Sequence, residues 1–481
     1  MLKIFNSLSK QIEEFVPGKA GEVGMYACGP TVYDFPHIGH GRKYVNDDVL
    51  RRALEAVEGL NVTHVQNITD VGHLVSDSDE GEDKLEKGAM KYGKTVWEIA
   101  EEYTDYFLKE MDSLNIVRPT IQPQATEHIP EQIEIIKKLV DKGYAYETTE
   151  AVYFEVSKFE GYGKIFGQSL EDKLVGVRDE VVTENSKKNP ADFALWFKRV
   201  GKFAEHTMHW ESPWGDGFPG WHIECSAMSM KYLGEQIDIH TGGEDHLSIH
   251  HPNEIAQSEA ATGKKPFVKY WFHSLFLAVE GKKMSKSLGN VYRVADIVAK
   301  GFSPMAMRYY YLSTHYRKQM NFSWEGMEGV SNSYKKLKRE YQSLSADEVR
   351  MSDVFDRSSD NLLSNREIFY RDEFVSSVED DLNMAAAIAT VWKVIRDDNL
   401  KNFEKIVLVE NFDRVLGLKL SFPEATDLGS SVPDEVKELV SKREEFRKNK
   451  DWQKSDEMRK EIEEKGYKVS DFADGVKVEK L

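Results

Sequence analysis

The sequence has little cysteine, no long apolar run and no excess of positive charge. Only Cys28 and Cys225 occur among its 481 residues, so a framework of several disulfides is excluded. No run approaches the ~20 apolar residues that cross a bilayer. The first residues contain neither an uninterrupted apolar segment nor a small-residue cleavage site, which argues against a signal peptide. We therefore expect a cytoplasmic protein with no membrane partner.

The formal net charge of −18 is unlike that of a protein that coats nucleic acid without specificity. It does not exclude a specific RNA partner, because binding depends on where basic residues cluster. Such clusters occur at residues 335–339 and across residues 442–460. Charged runs are usually solvated helix faces, so these clusters alone favour RNA binding only weakly.

Apolar residues are plentiful enough, at 40% of the chain, for packed globular cores. An α/β domain is predicted at the N-terminus. Residues 23–28 are typical of a short strand. Apolar residues then recur at helical spacing from Val45 to Val57, and Gly59 ends that helix. Residues 60–68 are typical of a second strand. A strand–helix–strand order indicates a parallel pair.

The pattern changes between about residues 117 and 220, where prolines recur and residues 151–156 are strand-like. We interpret this stretch as an insertion, because strand and helix signals resume after Gly220. From about residue 301 the chain is mostly helical, as in residues 379–418, where Leu382, Ala385, Ile388 and Val391 lie near helical spacing.

Residues 429–433 are typical of a linker. After it we predict two charged helices and a strand-like end at residues 468–477.

The first candidate nucleotide element is His37-Ile38-Gly39-His40, between the first strand and the helix. A helix N-terminus attracts phosphate, Gly39 permits close approach of the backbone, and imidazoles donate to phosphate oxygens. Two surface histidines beside a turn are the simpler alternative for this element taken alone.

The second element is Lys283-Met284-Ser285-Lys286-Ser287, followed by Leu288-Gly289-Asn290. Two ammonium groups three positions apart on a loop suit a triphosphate, where they stabilise charge that builds in the transition state. A solvated basic loop is the alternative. The presence of both elements in one chain favours nucleotide chemistry.

These two elements, in this order and separated by an insertion, resemble the HIGH and KMSKS motifs of class I aminoacyl-tRNA synthetases. The resemblance implies a Rossmann-type parallel-sheet catalytic domain with an insertion, followed by a mostly α-helical C-terminal region. It also implies an enzyme that joins an amino acid to ATP and then to tRNA. The glycine fingerprint of dinucleotide-binding domains is absent, so the fold prediction rests on this resemblance and on the strand–helix pattern.

The cysteine contexts add a metal prediction. Cys28 lies just before the HIGH element, and Cys225 lies in Trp221-His222-Ile223-Glu224-Cys225. If the later segment His250-His251-Pro252-Asn253-Glu254 is helical, His250 and Glu254 face the same side. Two thiolates, an imidazole and a carboxylate are a plausible tetrahedral zinc set, to be weighed against two unrelated thiols and two helix-surface side chains.

With these contexts the chain resembles the cysteinyl-tRNA synthetase family over nearly its whole length. Residues 67–70, 189–196 and 238–243 contribute to the resemblance. In that family the positions matching Cys28, Cys225, His250 and Glu254 hold one zinc ion that binds the substrate thiolate. Serine differs from cysteine by one atom, and a soft ion discriminates sulfur from a neutral hydroxyl better than pocket shape does.

The resemblance further implies ATP-dependent ligation of L-cysteine to tRNA(Cys) through a cysteinyl-adenylate, with magnesium accompanying ATP. The sequence does not reveal the oligomeric state, and we expect a monomer. His37, Gly39 and His40 would contact ATP, and Lys286, with Lys283, would stabilise the departing phosphates. Substrate and nucleotide positions are also implied for Thr69, Trp221 and His240, and for Gly243 and Asp245.

The implied segments are a first half of the catalytic domain at 1–116, a connective insertion at 117–220, a second half with the KMSKS loop at 221–300, a stem-contact region at 301–350, a helical bundle at 351–427 and an anticodon-binding region at 428–481.

Two features depart from the family pattern or leave it open. The acidic run that often follows residue 70 in the family is replaced here by other residues, so the sequence does not decide whether residues 71–84 contact the tRNA acceptor end. Pro252 makes the start of its helix uncertain.

Two rival functions remain, a cysteine-activating ligase that transfers to a small-molecule amine and a non-catalytic zinc-stabilised RNA-binding paralogue. A basic tail with Trp452 favours tRNA over the amine.

Overall fold

The computed structural model describes residues 1–72, 84–162, 166, 187–285, 288–345, 352–421, 433–448, 451–472 and 475–480. The chain forms two compact units. The first comprises Met1–Glu340 and Leu344–Leu418, and the second comprises Tyr341–Ser343 and Lys419–Leu481. This division is coarser than the six segments predicted from the sequence.

The strands of the described residues are, in chain order, β1 Lys3–Asn6, β2 Gln11–Glu14, β3 Glu22–Ala27, β4 Asn61–Gln66, β5 Ala145–Glu147, β6 Ala151–Phe154, β7 Phe193–Lys198, β8 Gly217–Pro219, β9 Ile237–Gly243, β10 Val268–Ser274, β11 Leu277–Val279, β12 Lys282–Lys283, β13 Met320–Phe322, β14 Tyr467–Phe472 and β15 Gly475–Lys480.

The α-helices of the same residues are α1 Ile38–Ala56, α2 Lys84–Tyr92, α3 Val96–Ser113, α4 Ile129–Asp141, α5 Trp221–Leu233, α6 His250–Thr262, α7 Val294–Ala299, α8 Pro304–Leu312, α9 Trp324–Gln342, α10 Asn365–Glu379, α11 Met384–Arg396, α12 Asn402–Leu416, α13 Asp434–Lys448 and α14 Trp452–Glu464. No helix in this described part of the chain is long and apolar enough to cross a membrane.

A parallel sheet in the order β10–β9–β3–β4 forms the centre of the first unit. The predicted parallel pair is confirmed, with β3 and β4 in register from Glu22 opposite Asn61 to Ala27 opposite Gln66. The carboxyl-terminal halves of β3, β4 and β9 are almost entirely buried, as expected for strands covered on both faces. Because β3 pairs with β4 on one side and β9 on the other, the strand order reverses there, which is where open α/β sheets bind ligands.

The stretch interpreted as an insertion contains its own antiparallel sheet, in the order β5–β6–β7–β8. The predicted strand at 151–156 is present as Ala151–Phe154. The chain returns to the parallel sheet through α5, whose buried face packs near β3 and β4.

The prediction of a mostly helical C-terminal region is confirmed, but one residue whose spacing was interpreted as helical does not lie on a helix. Leu382 is not helical: it and Asp381 have left-handed backbone conformations, at φ of 56° and 53°, in the connection between α10 and α11. Leu382 lies in a turn and its side chain is buried, so its apolar character reflects packing in the core and does not indicate a helix. Within residues 379–418, α10 ends at Glu379 and two further helices follow, α11 and α12.

The second unit contains α13, α14 and a β14–β15 hairpin around a core of its own. That core includes Val436, Val440, Ile462, Val469 and Val478. The two predicted charged helices are confirmed, and the strand-like end is an antiparallel hairpin. Residues 429–432 of the predicted linker lie outside the described residues.

Candidate active site and metal centre

A cavity of about 850 Å³ opens at the carboxyl ends of the central strands. Its wall is formed by the segment after β3, the start of α1, the starts of α5 and α6, and the segment from β10 to β12. The two nucleotide elements and both cysteines predicted from the sequence line this one cavity.

The HIGH element begins α1, with His37 as its N-cap. Nδ1 of His37 accepts hydrogen bonds from the backbone N–H groups of Gly39 and His40, at 3.1 and 3.3 Å. Nδ1 of His40 accepts in turn from the backbone N–H of His37, at 3.1 Å. Because a neutral imidazole that accepts at Nδ1 carries its proton on Nε2, both rings present an N–H donor suited to a phosphate oxygen.

The KMSKS element lies across the cavity mouth from this helix start. Lys283, Met284 and Ser285 line the cavity, and Lys283 is exposed. A side chain at Gly39 would come within 2.7 Å of the Met284 terminal methyl, so glycine permits the two elements to lie this close. Lys286, the predicted phosphate-stabilising residue, lies outside the described residues.

Four buried side chains meet at the inner end of the cavity. Their ligand atoms all lie within 4.8 Å of one another, and they belong to Cys28, Cys225, His250 and Glu254. Cys28 follows β3, Cys225 is on α5, and the other two are on α6, where His250 Nε2 is 3.0 Å from Glu254 Oε1. Zinc bonds to sulfur, nitrogen and oxygen are ~2.0–2.3 Å, so donors this close together fit one zinc ion, and two thiolates favour a soft metal.

A second group shares Cys28 and Glu254 and adds the imidazoles of His240 and His251. His240 Nε2 lies 2.9 Å from Glu254 Oε2, and His251 Nδ1 lies 2.7 Å from His273 Nε2. Neither His240 nor His251 lines the cavity, whereas Cys28, Cys225 and His250 do. We therefore take the first group as the candidate metal site and these histidines as its outer partners.

The pKa values of the ligand set are strongly perturbed. Burial alone would raise the pKa of the Cys28 thiol, but a hydrogen bond from Cys225 and the imidazoles of His240 and His251 bring it well below its ordinary value. The hydrogen bond to Cys28, together with burial, raises the pKa of Cys225 well above its ordinary value. Burial opposes charge on His250, yet mainly the Glu254 carboxylate raises its pKa to about 10. A metal ion that binds here therefore displaces protons.

The remaining site residues predicted from the sequence lie at different depths in the site. Thr69 and Trp221 line the cavity beside the metal site; the Thr69 hydroxyl donates to Glu224 at 3.3 Å, and the Trp221 ring stacks on His250 at 4.3 Å. Gly243 and Asp245 line the cavity on the side of the HIGH element. His240 is fully buried behind Glu254, so the structure brings it to the metal ligand and not to the cavity surface.

Three supporting residues were missed from the sequence. His222 Nδ1 lies 2.9 Å from His250 Nδ1, and so can fix the orientation of that ligand ring. The buried hydroxyl of Tyr26 lies near both cysteines, and burial raises the pKa of Tyr26 well above its ordinary value. His251 was quoted only as a neighbour of His250. No local motif marks such residues, because their partners lie on other elements.

Gly29, the residue after Cys28, has no room for a side chain. A Cβ there would come within 1.6 Å of the Asn67 carbonyl oxygen. Its N–H donates to the Asn67 side chain at 2.8 Å. This close approach joins the ends of β3 and β4 directly beside the metal site.

Residues 14–332 match the family model described as tRNA synthetases class I (C) catalytic domain. The cysteine–tRNA ligase of Treponema denticola is 43% identical over 98% of this chain and 98% of its own length. The cysteine–tRNA ligase of Caldicellulosiruptor saccharolyticus is 41% identical over 100% of both chains.

Solved structures with a similar fold have little sequence identity to this chain. The methionyl-tRNA synthetase of Mycobacterium tuberculosis in complex with methionyl-adenylate aligns with a TM-score of 0.53 at 15% identity, covering 84% of this chain and 92% of that one. The Agrobacterium radiobacter K84 agnB2 LeuRS–tRNA–LeuAMS complex aligns with a TM-score of 0.57 at 12% identity, covering 85% of each chain. Both confirm the Rossmann-type α/β fold predicted from the sequence.

Because the catalytic-domain model and relatives matched end to end agree, the chain belongs to the cysteine–tRNA ligase family of class I tRNA synthetases.

Proposed function

We propose that this chain ligates L-cysteine to tRNA(Cys) at the expense of ATP, through a cysteinyl-adenylate. The observation that carries the proposal is the convergence of Cys28, Cys225, His250 and Glu254 at the cavity that both nucleotide elements line; the first three of these residues line it, and Glu254 lies buried behind them. Such a donor set at the inner end of an adenylate-forming cavity is suited to recognising a thiol. We also propose a monomer as the active form and the cytoplasm, the compartment of translation, as its location.

The four ligand residues would hold one zinc ion at the end of the cavity. Zinc, when bound, supplies a soft Lewis acid that favours a thiolate over a neutral hydroxyl. Trp221 and Thr69 lie against this end and would limit the size of the bound amino acid. Pocket shape discriminates one-atom differences by only ~1–3 kcal/mol, so selection of cysteine over serine would rest mainly on the ligand set.

The other end of the cavity would hold ATP. The Nε2 donors of His37 and His40 are placed by the hydrogen bonds that their own Nδ1 atoms accept, so little reorganisation is needed when charge develops on the α-phosphate. Lys283 and Lys286 would stabilise the leaving pyrophosphate, and Gly243 and Asp245 would lie near the adenosine. Magnesium would accompany the nucleotide; we assign no side chain to it.

Transfer to tRNA would involve the second unit. Its helices carry the basic cluster predicted from the sequence, and the Trp452 side chain is 57% exposed, with the Arg447 guanidinium 5.6 Å from its ring centre. An exposed aromatic beside basic groups suits stacking and phosphate contact with RNA.

The two rival functions share parts of this site. A ligase that transfers cysteine to a small-molecule amine would need the same activation cavity. A non-catalytic RNA-binding paralogue would need neither the HIGH donors nor the close approach of Gly39 to Met284. The full-length match to relatives named as tRNA ligases supports the tRNA acceptor.

Cysteine-dependent ATP–pyrophosphate exchange and aminoacylation of a tRNA with a GCA anticodon test the proposal together. We expect both activities in zinc-loaded protein and no exchange with serine. Exchange without tRNA charging would favour the amine acceptor, and absence of exchange would refute both ligase functions.

Cys225→Ser tests the metal assignment. Replacing a thiolate by a weakly coordinating hydroxyl should lower the zinc content and cysteine-dependent exchange together. Met228→Leu, a volume-conserving change one turn further along α5, is the matched control and should leave both at the parent level. Parent-like zinc content and exchange in Cys225→Ser would show that the metal assignment is wrong.

A further inference from the structure

Lys43 and Asp47 form a buried ion pair in α1, just after the HIGH element. Lys43 Nζ lies 2.8 Å from Asp47 Oδ2, and the two side chains are only 11% and 2% exposed. Pairs with this i, i+4 spacing usually lie on the solvated face of a helix and contribute little. Here the pair lies in the wall of the active-site cavity, which Lys43 lines. A buried pair needs further hydrogen bonds to offset its desolvation, so its other partners indicate its role.

The other partner of Lys43 is the backbone of a proposed metal ligand. Lys43 Nζ donates a hydrogen bond to the carbonyl oxygen of Cys28 at 2.6 Å, in a fully buried contact. The N–H of Cys28 donates to the carbonyl of Thr241 at 3.2 Å. The β3–β9 register ends at Ala27 opposite Thr241, so Cys28 is the first residue past that register. Lys43 thus binds a carbonyl just beyond the end of the strand pairing.

Asp47 completes a closed arrangement around Cys28. Its carboxylate pairs with Lys43 and lies beside the Thr241 side chain, on the strand whose carbonyl holds the Cys28 N–H. Burial raises the pKa of Asp47, and the ammonium of Lys43 opposes that rise. The backbone of Cys28 is therefore held on both sides, at its N–H by Thr241 and at its carbonyl by Lys43, and Asp47 lies between the two.

The sulfur of Cys28 has to point at the other three ligands. The Cys28–Gly29 peptide lies beyond the end of the strand pairing and is held at its carbonyl by Lys43 and at its N–H by the Asn67 side chain. Losing the Lys43 contact would leave this peptide plane held at one point only, so it could rotate and move the Cys28 side chain. Partners that orient metal ligands typically change metal affinity ~10–100-fold when they are removed. The ammonium also places positive charge next to a donor set that includes two thiols and a carboxylate.

We propose that Lys43, held by Asp47, is a positioning residue that fixes the Cys28 backbone and thereby directs its sulfur into the metal site. The proposal rests on the metal site and function proposed above. It concerns the affinity and geometry of that site, and it assigns Lys43 no contact with substrate.

A substitution of Lys43 alone would leave the Asp47 carboxylate buried without a counter-charge. If that variant failed to fold, the result would not separate the loss of this ion pair from the loss of the Cys28 contact. The deciding variant is the double change Lys43→Met and Asp47→Leu, which replaces both charges by apolar side chains of similar size. Such replacements are often neutral for folding, while the anchor on the Cys28 carbonyl is lost. Asp48→Asn is the matched control, because Asp48 is an equally buried carboxylate on the next residue whose partners are Arg52 and Arg308.

Zinc affinity is measured by competition with a chromophoric chelator, and the site geometry is measured by the thiolate-to-cobalt absorption of the cobalt-substituted protein. For the double variant we expect ~10–100-fold weaker zinc binding, an altered cobalt band and a raised KM for cysteine with an unchanged KM for ATP. Asp48→Asn should bind zinc like the parent even where it unfolds more easily.

Zinc affinity within twofold of the parent in the folded double variant would overturn the proposal. A raised KM for ATP with unchanged zinc affinity would also overturn it, because it would assign Lys43 to the nucleotide. Failure of the parent itself to bind zinc or to activate cysteine would instead refute the proposed function, so the two failures are distinguishable.

Discussion

The imidazole ring of His37 has one observed role and one proposed role. Its Nδ1 caps α1 by accepting hydrogen bonds from two backbone N–H groups, and we propose that its Nε2–H donates a hydrogen bond to a phosphate oxygen. Asparagine is also a good N-cap but has no atom at the Nε2 position. The two roles can therefore be separated by one substitution.

We predict that His37→Asn changes the free energy of unfolding by less than ~1 kcal/mol while lowering kcat of ATP–pyrophosphate exchange ~10²-fold. Urea unfolding and exchange kinetics measure the two quantities. His209→Asn, which changes a partly exposed imidazole in the insertion, should leave exchange unchanged. Full exchange activity in His37→Asn would remove His37 from the catalytic residues.

The extent to which the sequence predicts the site depends on where each partner lies. Cys28, Cys225, His250 and Glu254 were chosen from their sequence contexts, and the fold brings those four together. Lys43 was missed because lysine four positions before aspartate in a helix is typical of a solvated pair. Its decisive partner is a backbone carbonyl on another element, and carbonyls have no sequence signature.

Among the secondary-structure elements of the first unit, four segments are joined by one side chain, Arg308. From α8 its guanidinium donates to the Leu114 carbonyl after α3, the Leu416 carbonyl at the end of α12, and Asp48 on α1, at 2.9, 2.8 and 2.6 Å. All of these groups are buried, and α1 is the helix that begins at the HIGH element. This one cation therefore fixes the helical region against the helix that begins at the HIGH element.

We predict that Asp48→Asn costs ~3–5 kcal/mol of stability near neutral pH, because it leaves Arg308 buried without its carboxylate. Burial disfavours the charged form of Asp48, but the guanidiniums of Arg308 and Arg52 hold its pKa below the ordinary value. A carboxyl with a depressed folded pKa stabilises above its unfolded pKa of ~3.9 and loses that stabilisation as the pH falls through the folded pKa.

The stability difference between parent and Asp48→Asn should therefore narrow as the pH falls from about 5 to 3. Urea unfolding at several pH values measures it, with Asp105→Asn, an exposed carboxylate on α3, as the control. A difference that stays constant across this range would contradict the role given to the Asp48 charge.

Elements with local signals were predictable, and elements set by tertiary contacts were not. The β3–α1–β4 unit follows from two short strand-like segments, the helical spacing between them and Gly59. Leu382 has helical spacing by coincidence: the turn holding it is fixed by Asp381, whose carboxylate accepts from the Tyr316 hydroxyl and the Phe5 N–H. Those partners are distant in sequence, and no local pattern could indicate them.

At the level of the whole molecule, the candidate cavity and the basic helices that carry Trp452 belong to different compact units. Among the residues that the structure describes, all those that line the candidate cavity belong to the first unit. The second unit has a separate core that includes Ile462, Val469 and Val478. Separate cores allow one activity to be removed without the other.

We predict that a chain ending at Leu418 keeps cysteine-dependent ATP–pyrophosphate exchange within ~3-fold but has a KM for tRNA raised at least ~10-fold, because each lost stacking contact costs ~1–3 kcal/mol. Exchange and aminoacylation kinetics on the same preparation measure both. Unchanged tRNA kinetics would exclude the second unit from tRNA binding.

Zinc K-edge X-ray absorption, with and without L-cysteine, counts the sulfur ligands of the bound zinc. We predict about two sulfur ligands per zinc in the free protein, from Cys28 and Cys225, and about three when L-cysteine is added, with no change on adding L-serine. A sulfur number that does not rise with L-cysteine would contradict selection of the substrate by its thiol.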